Sequence, residues 1–409
     1  MDWCKLDSQR RCVDWTQLMD TEKQLSIRWV STVDEIPSEL WARCFPPPVE
    51  GRWWYQVLEH SRLDSQFTFA YAVIEREATA VGIAPTFLMD VPIDLVAPPM
   101  IAHLLRVAGG VLPRLRYQRT LFIGSPCSDE GMVGLLPGLQ LTETAPLLQT
   151  ALEHRGQQLG ASMLVWKDFP QTNDAALSAV SRQRGLFRVV SYPGTRLLLP
   201  AGGFEAYLQT LTSSHRHNLR KKLRRSKALS DLYVTVMQQP SDAVLEEIFA
   251  LFWQTYQKGK TKFERLTLEF FQRIAAEEVS YFVLLRHPAT NQLVAFMLCF
   301  LLGSRVINKF IGLDYSFGGD WFLYFRLWEH AIDWASRQHA TEFQSGQTGY
   351  RAKLDLGHDL VPLYNYCRHR NPVWHRLFAY VARRISWATL DKDLSRRAVA
   401  DENSKHGIH

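Results

Sequence analysis

One segment of the chain, 312–366, constrains the fold more than any other. A strand ends in Gly312-Leu313-Asp314-Tyr315 and is followed by the glycine pair Gly318-Gly319 and an aromatic-rich helix. A second strand then leads into a loop that begins at Gly346, with Lys353 beyond it, and the segment closes with Pro362-Leu363-Tyr364. The free backbone N–H groups at a helix N-terminus favour an anionic group such as a phosphate. Strand, helix start, second strand and lysine can converge only if the two strands are neighbours. The segment therefore favours a transferase that holds a phosphate-bearing donor.

The composition is that of an ordinary globular protein with room for two domains. The chain has 409 residues, of which 46% are hydrophobic and 22% charged. Its six cysteines show neither a C-x-x-C pair nor a histidine at ligand spacing, so we expect a reduced, cytoplasmic protein without disulfide framework or metal site. Residues 1–20 lack the apolar stretch of a signal peptide. The longest apolar run, Leu293–Leu302, is too short to span a bilayer.

Positive charge is concentrated in one short stretch. The formal net charge is +6, yet 215–227 alone holds seven Lys and Arg residues and no acid, which leaves about −1 for the rest. Arg216, Arg220 and Arg224 are four residues apart and share one helical face. A solvated helix is the simplest explanation, but like charges at this spacing repel each other. We therefore also expect an anionic partner: the nucleotide end of a donor, a tRNA acceptor stem or a phosphorylated acceptor. Stacking aromatics are missing, so base-specific contacts are not expected.

The order of predicted elements repeats once along the chain. Strands at 66–74, 80–88 and 120–123 are followed by a helix at 144–159, a strand at 163–167, a helix at 174–185 and strands around 189–199. The second copy has strands at 279–285, 293–302 and 305–313, a helix at 321–339, a strand at 341–345, a short helix at 350–356 and a strand at 362–368. Two helices, 204–229 and 242–257, precede it.

This β-β-β-α-β-α-β repeat predicts two similar α/β (α+β) domains with mixed, largely antiparallel sheets flanked by helices. We place an N-terminal extension at 1–34, a first domain at 35–200, a second domain at 201–371 and a C-terminal helix and tail at 372–409. The C-terminal helix, 372–390, either packs onto the second domain or docks on a membrane surface.

The order of elements and the local patterns resemble the tandem GNAT acyltransferase fold, in the branch of the Fem-type aminoacyl transferases and related bacterial N-acyltransferases. The matching patterns are Arg216 to Leu223, Phe310 to Tyr315 leading into Tyr324-Phe325, and Gly346 to Gly349 followed by Lys353, Leu356-Gly357 and Pro362-Leu363-Tyr364. One pattern departs: the coenzyme A loop of ordinary GNAT enzymes is replaced by Ser316-Phe317-Gly318-Gly319-Asp320. This places acyl-CoA as donor in question, since an aspartate repels a phosphate.

The resemblance implies direct transfer of an acyl or aminoacyl group to a small-molecule amine, without metal, bound cofactor or covalent intermediate. Acyl-CoA is the favoured donor. Aminoacyl-tRNA, held by the 215–227 segment, is the alternative, and a non-catalytic binding module is a second one. In each case the second domain would carry the site and the first would help to form the acceptor cleft.

Lys353 lies where the family has a lysine that reaches the site, and it could neutralise a phosphate or the forming oxyanion. Asp314 could act as base or orient the amine, or it could simply form a turn before the glycines. Tyr315 or Tyr324 could protonate the leaving group, although core tyrosines are common. The sequence does not identify the general base.

The remaining candidates would bind donor or substrate. Lys309, on the face opposite to Asp314 by strand alternation, is either a phosphate ligand or an edge lysine. The other donor-binding candidates are Gly318, Gly319, Arg216, Arg220 and Arg224, and the substrate-binding candidates are Gln347, Thr348, Tyr350 and Tyr364.

Overall fold

The computed structural model describes residues 25–92, 117–259 and 264–395; Cys4 and Cys12 lie outside these ranges. The strands are β1 Leu25–Val30, β2 Thr68–Arg76, β3 Thr79–Pro92, β4 Tyr117–Ile123, β5 Gly134–Leu135, β6 Met163–Pro170, β7 Phe187–Val190, β8 Gly194–Leu198, β9 Tyr233–Met237, β10 Ser280–Arg286, β11 Leu293–Leu302, β12 Arg305–Leu313, β13 Glu342–Ser345, β14 Asp359–Val361 and β15 Leu363–His369.

The helices lie between and after these strands. They are α1 Ser38–Cys44, α2 Arg52–Glu59, α3 Leu141–Gln158, α4 Asp174–Arg184, α5 Gly203–Thr210, α6 Ser213–Leu229, α7 Asp242–Lys258, α8 Leu268–Ala275, α9 Leu323–Arg337, α10 Tyr350–Asp355, α11 Pro372–Ala382 and α12 Trp387–Leu390. None of the helices in the described ranges combines the length and apolarity that crossing a bilayer requires.

The strands form two mixed sheets. The first has the order β1-β2-β3-β4-β6-β15-β7, with β5 paired to β3, and the second has the order β14-β8-β13-β12-β11-β10-β9. In the first sheet β4 and β6 run parallel, and in the second β12 and β13 do; the other described pairs are antiparallel. The predicted fold class, two sheets of mixed and largely antiparallel strands flanked by helices, is confirmed.

Each half of the chain contributes one strand to the sheet of the other half. β8 pairs with β13 and β14 in the second sheet, and β15 lies between β6 and β7 in the first. The prediction that strands around 189–199 and at 362–368 stay in their own domains is therefore wrong for both β8 and β15. The reason is burial: Leu197 packs in the core of the second sheet, whereas Tyr366 packs in that of the first.

The boundaries predicted at residues 34 and 200 do not coincide with the sheets. β1 begins at Leu25, inside the predicted extension, and pairs along its whole length with β2. β8, inside the predicted first domain, belongs to the second sheet.

A single hydrophobic core connects the two halves. It contains Trp54 and Phe87 from the first half and Phe270, Phe296 and Phe300 from the second. The ring centroid of Trp54 lies 5.7 Å from that of Phe300 and 6.1 Å from that of Phe270, at edge-to-face angles. Aromatic pairs of this kind add about 0.5–1.5 kcal/mol each to the burial of their surface. The two sheets are therefore held in one fixed arrangement, and groups between them have defined positions.

Candidate active site

The parallel strands of the second sheet separate at a fixed point. β12 and β13 pair from Arg305 with Glu342 to Asn308 with Ser345, after which β13 ends and β12 continues to Leu313. The first sheet repeats this arrangement, because β4 pairs with β6 only as far as Trp166 while β6 continues to Pro170. Beyond each separation point the two parallel strands no longer bond to each other, which makes the gap between them a natural place for a substrate.

A β-bulge at Lys309 marks the separation point. The register of β11 and β12 shifts between Leu298, which faces Phe310, and Cys299, which faces Asn308, so Lys309 is the extra residue. Both Lys309 and Phe310 consequently point into the core that joins the two halves. The prediction that Lys309 and Asp314 lie on opposite faces assumed regular alternation and is wrong, because the bulge restores them to one face.

Seven charged residues, from both halves of the chain, meet near this point. We call them the interface cluster, and its members are Glu50, Asp129, Lys167, Asp168, Glu264, Lys309 and Lys353. Charges this close in a poorly solvated region interact strongly, so their pairing decides which of them are free to act on a substrate.

Lys309 is held by Glu50. Its Nζ lies 2.6 Å from Glu50 Oε1 and 4.6 Å from the centroid of the Trp54 ring, and the two charged side chains are 1% and 8% exposed. Burial alone would lower the pKa of Lys309, but Glu50 and Asp129 outweigh burial and raise it. Lys309 is therefore a buried member of an ion pair across the two halves, and neither an open phosphate ligand nor an exposed edge lysine, the two alternatives that the sequence offered.

Lys353 is buried without a comparable partner. It lies on α10, is 4% exposed, and its Nζ donates a hydrogen bond to the carbonyl oxygen of Gly346. Burial lowers the pKa of Lys353 to about 8, and Asp129 opposes this shift only in part. Near neutral pH this amine therefore changes its protonation state readily, which suits a group that stabilises charge in a reaction.

Asp129 brings a carboxyl group from the first half to the same place. A Cβ built on Gly346 would lie 3.0 Å from Asp129 Oδ1, so the carboxyl group packs against the loop that accepts the Lys353 hydrogen bond. Its Oδ2 is inaccessible and has no hydrogen-bond partner among the described residues. Burial raises the pKa of Asp129, with Glu50 acting in the same direction and Lys309 against it.

A second pair of charges borders the first-half separation point. Lys167 directly follows Trp166, the last residue of β6 that pairs with β4. Its ammonium donates to the carboxylate of Asp168, which also accepts a hydrogen bond from Ser191. Glu264 accepts the backbone N–H of Cys127 at 3.1 Å, and burial raises its pKa. Burial also raises the pKa of the Cys127 thiol, which makes it a poor nucleophile.

Two side-chain amides at the β12–β13 separation point have unused donors. Ser345 Oγ donates to Asn308 Oδ1 at 2.8 Å, and Asn308 Nδ2 is buried with no partner among the described residues. Gln347 Nε2 is likewise buried and unpartnered there. An unpaired buried donor costs about 1–3 kcal/mol, so such groups are retained where a ligand can satisfy them.

Two of the predicted catalytic residues, Asp314 and Tyr315, lie beyond the end of β12 rather than at this point. Asp314 is six residues beyond Asn308, about 20 Å along an extended strand. Its carboxylate accepts hydrogen bonds from Ser316 N, Ser316 Oγ and Gln292 Nε2, so it forms the turn. Tyr315 is 38% exposed beneath the ammonium of Lys258. The turn-forming interpretation of Asp314 is the one that the geometry fits.

Tyr324 is a core residue of α9. Its ring packs edge-on against Phe325, its buried hydroxyl lies beside the Trp328 indole, and burial raises its pKa. A phenol in this setting releases its proton reluctantly.

The predicted substrate-binding residues are divided between the site and its surroundings. Gln347 lies at the separation point, and Thr348 is exposed in the same loop. The Tyr350 hydroxyl donates to Pro193 O at 2.8 Å and holds α10 in place. Tyr364 lies on β15 in the first sheet, where the Arg188 guanidinium covers its ring. It is therefore not part of the second domain's pocket wall, because β15 crosses to the other sheet.

Gly318 and Gly319 precede α9 without opening it. Gly319–Trp321 forms a single 3-10 turn, and α9 begins only at Leu323. Phe322, between this turn and α9, has a left-handed backbone (φ 44°), and Trp321 packs against Phe317 at 4.8 Å. Both glycines face open space, since an added Cβ would meet no atom within 4 Å.

Acids from other elements neutralise four of the seven cations of α6. The pairs are Arg220 with Glu205, Lys222 with Asp355, Arg225 with Asp320 and Lys227 with Glu329, at 2.6–2.8 Å. The segment is thus less unbalanced than its sequence suggests, and Arg220 is engaged within the protein. Arg216, Lys221 and Arg224 have no acidic partner among the described residues.

Cavities flank α6 on two sides. One of about 300 Å³ lies between α6 and the start of α9, and its walls include Lys221, Lys222, Arg225, Phe322 and Arg351. The other, about 520 Å³, is lined by Arg216, Arg220, Arg224 and Lys227 together with acids of neighbouring helices. Both present positive charge to whatever enters.

The sequence predictions missed the first-half members of the interface cluster. Glu50, Asp129, Lys167 and Asp168 lie in loops or near a strand end, and each reads as an ordinary solvated charge. One signal was available: Cys127 to Gly131 follows the first-half counterpart of β12, where the repeat places the equivalent of the Gly318 turn.

Comparison with known proteins agrees with this architecture. Residues 198–389 match the FemAB-like family, described as peptidoglycan biosynthesis/recognition. FemX superposes with a TM-score of 0.55 and 10% identity over 86% of this chain and 100% of its own. A conserved protein of unknown function from Bacteroides thetaiotaomicron gives 0.50 and 13% over 84% and 99%. A tandem GNAT protein from the clavulanic acid biosynthesis pathway gives 0.49 and 12% over 85% and 99%.

No curated protein matches the chain in sequence. Identities this low establish the fold alone, and the family match covers the half that contains Lys353. The resemblance to the Fem-type family is confirmed over residues 198–389, and the chain as a whole shares the fold of FemX.

Proposed function

Residues 198–389 are FemAB-like and the chain has a tandem GNAT fold, and from this premise we propose an amide-forming transferase of the Fem type. It moves an aminoacyl group from aminoacyl-tRNA to an amine of a peptidoglycan precursor. The observation that carries the proposal is the buried, weakly paired Lys353 at the separation point of β12 and β13. The family match favours the aminoacyl-tRNA donor over acyl-CoA.

The reaction joins an amine to an ester carbonyl. The acceptor nitrogen forms a bond with the carbonyl carbon, the carbonyl oxygen becomes an oxyanion, and the ribose oxygen then leaves with a proton. Lys353, in its ammonium form, and the free amide of Asn308 donate hydrogen bonds to the oxyanion. One such donor contributes about 10²–10³ to the rate when the site is closed to water.

Asp129 acts as the base that accepts the proton of the amine. Its free Oδ2 accepts an N–H of the acceptor and takes a proton as the C–N bond forms, and that proton passes to the ribose oxygen. The raised pKa of this carboxyl group makes it a better base than a solvated aspartate. Because Asp129 comes from the first half and Lys353 from the second, both halves are needed for the chemistry.

The free cations of α6 support a polyanionic donor. Arg216, Lys221 and Arg224 have no acidic partner among the described residues and can contact phosphate groups, and the 215–227 segment itself contains no aromatic residue to stack on bases. This pattern suits contact with a nucleic-acid backbone rather than with particular bases. The Arg225–Asp320 pair, 2.7 Å, lies before α9, where an acyl-CoA enzyme of this fold would hold its pyrophosphate.

The test is a transfer assay with defined donors. Purified protein is mixed with charged tRNA, acetyl-CoA or a longer acyl-CoA and with an amine-bearing peptidoglycan precursor, and amide product is measured by mass spectrometry. We expect product from charged tRNA, decreasing steeply with salt. Product from an acyl-CoA alone, insensitive to salt, would replace the proposed donor. Binding of the precursor without turnover of any donor would favour a non-catalytic module.

A further inference from the structure

The C-terminal helix α11 has an outward face that is both apolar and positively charged. Val373 is 70% exposed and Tyr380 is 57% exposed. Arg376 lies between them and Arg383 follows Tyr380, so that neighbouring members of the set are three or four residues apart. These positions share one face of the helix. Val373, Tyr380 and their arginines are therefore presented together to the surroundings.

The opposite face of α11 holds the helix against the protein. Ala382 is buried, and the ring of Phe378 lies 5.7 Å from that of His369 on β15. The Trp387 indole on α12 donates to the carbonyl oxygen of Ser191 at 3.1 Å, which fixes the following turn. The exposed face is consequently a built surface with a defined position, because its helix is packed on the other side.

The charge on this surface has one sign. From residue 360 to residue 390 the sequence contains five arginines and no acid. Arg370, Arg376 and Arg383 have no carboxylate within ion-pair distance among the described residues, and Arg384 stacks on the Tyr380 ring at 3.6 Å. An unpaired cationic face around exposed apolar side chains is complementary to an anionic lipid surface, where arginines meet headgroups and apolar tips enter the interface.

We propose that the α11 face, Val373, Arg376, Tyr380, Arg383 and Arg384, docks the protein on an anionic membrane surface. The helix lies in the plane of the interface and does not cross the bilayer. Such docking is independent of the transfer chemistry and is measured without turnover.

The experiment is co-sedimentation of the full chain with vesicles of phosphatidylglycerol and phosphatidylcholine in equal amounts, against vesicles of phosphatidylcholine alone. We expect binding to the anionic vesicles that weakens with salt. The triple variant Arg376→Gln, Arg383→Gln, Arg384→Gln should lose about 100-fold in partitioning, roughly fivefold for each arginine. The double variant Val373→Ser, Tyr380→Ser keeps the charge and should lose about tenfold.

A charge-matched control separates this face from general basicity. Arg216→Gln, Lys221→Gln, Arg224→Gln removes three positive charges from α6, and it should bind the vesicles as the wild type does. Equal binding by the α11 triple variant, or an equal loss in the α6 control, would overturn the proposal. So would a concentration-dependent dimer that the double variant abolishes, because the face would then bind a second copy of the chain.

Discussion

Replacing Lys353 with methionine should make the protein more stable at neutral pH. Lys353 is 4% exposed, and burial lowers its pKa from 10.5 to about 8. A difference of about 2.5 pKa units corresponds to about 3 kcal/mol, which the folded state loses by keeping this ammonium away from water. Methionine has a similar length and no charge. It leaves the carbonyl oxygen of Gly346 without its donor, at about 1 kcal/mol, so the net gain is about 2 kcal/mol.

The gain should depend on pH in one direction. The pKa of Lys353 is lower in the folded state than in the unfolded chain. The loss in the free energy of unfolding of the wild type is therefore fully present below pH 8, and it is relieved as pH rises from about 8 to 10.5. At pH 10 only about 1 kcal/mol of the destabilisation by Lys353 remains in the wild type. The variant loses about the same amount because it lacks the hydrogen bond to Gly346, so the two proteins should then be equally stable. Urea denaturation of wild type and variant at pH 7 and pH 10 measures the difference.

Lys309→Met is the matched control. This lysine is equally buried but paired with Glu50, so its removal leaves an unpaired buried carboxylate and should destabilise the protein by about 3–5 kcal/mol. If Lys353→Met also destabilised the protein at pH 7, the lysine would be held by a favourable ion pair. The argument that it is kept for its chemistry would then be refuted.

Three further changes test other parts of the account. Asp129→Asn should stabilise the protein at pH 7, because burial raises the pKa of this acid, and should lower turnover by about 100-fold or more; unchanged turnover would remove it from the mechanism. Arg216→Gln, Lys221→Gln, Arg224→Gln should reduce the slope of log Kd against log salt for tRNA by about 2–3, measured by filter binding; an unchanged slope would exclude α6 as the contact. Gly131→Ala should destabilise the protein severely in thermal melts, because its Cβ would lie 1.9 Å from a carbonyl oxygen of β6; a normal melting temperature would contradict the packing of this loop.

The order of the elements could be predicted from the sequence, whereas the exchange of strands could not. The predicted strands at 293–302 and 305–313 coincide with β11 and β12, since apolar runs bounded by turn residues are local signals. β8 and β15 carry the same local signals as strands that pair within the sheet of their own half of the chain. Their sheet is decided by distant contacts, such as Thr195 Oγ1 donating to Ser345 O.

The site was predictable only where the family resemblance supplied it. Lys353 was identified through its position in the pattern, and its burial agrees with a role there, but that role stays a prediction. Asp129 and Glu50 come from loops of the first half that no periodicity places near Lys353. Lys309 was assigned to the wrong face because a bulge is invisible to an argument from strand alternation.

The basic segment shows a similar limit. Its seven cations were evident, but the four acids that pair with them lie on other elements, such as Glu205 on α5 and Asp355 at the end of α10. Only the folded arrangement identifies Arg216, Lys221 and Arg224 as the cations that have no acidic partner in the described part of the chain.

The central claim is tested most directly by amide formation in wild type and Lys353→Met with charged tRNA as donor and an amine-bearing peptidoglycan precursor as acceptor. The account predicts a salt-sensitive product with the wild type and at least about a 100-fold lower rate with the variant, although the variant is the more stable protein. Equal rates for the two proteins, or no product from the wild type with any donor, would contradict it.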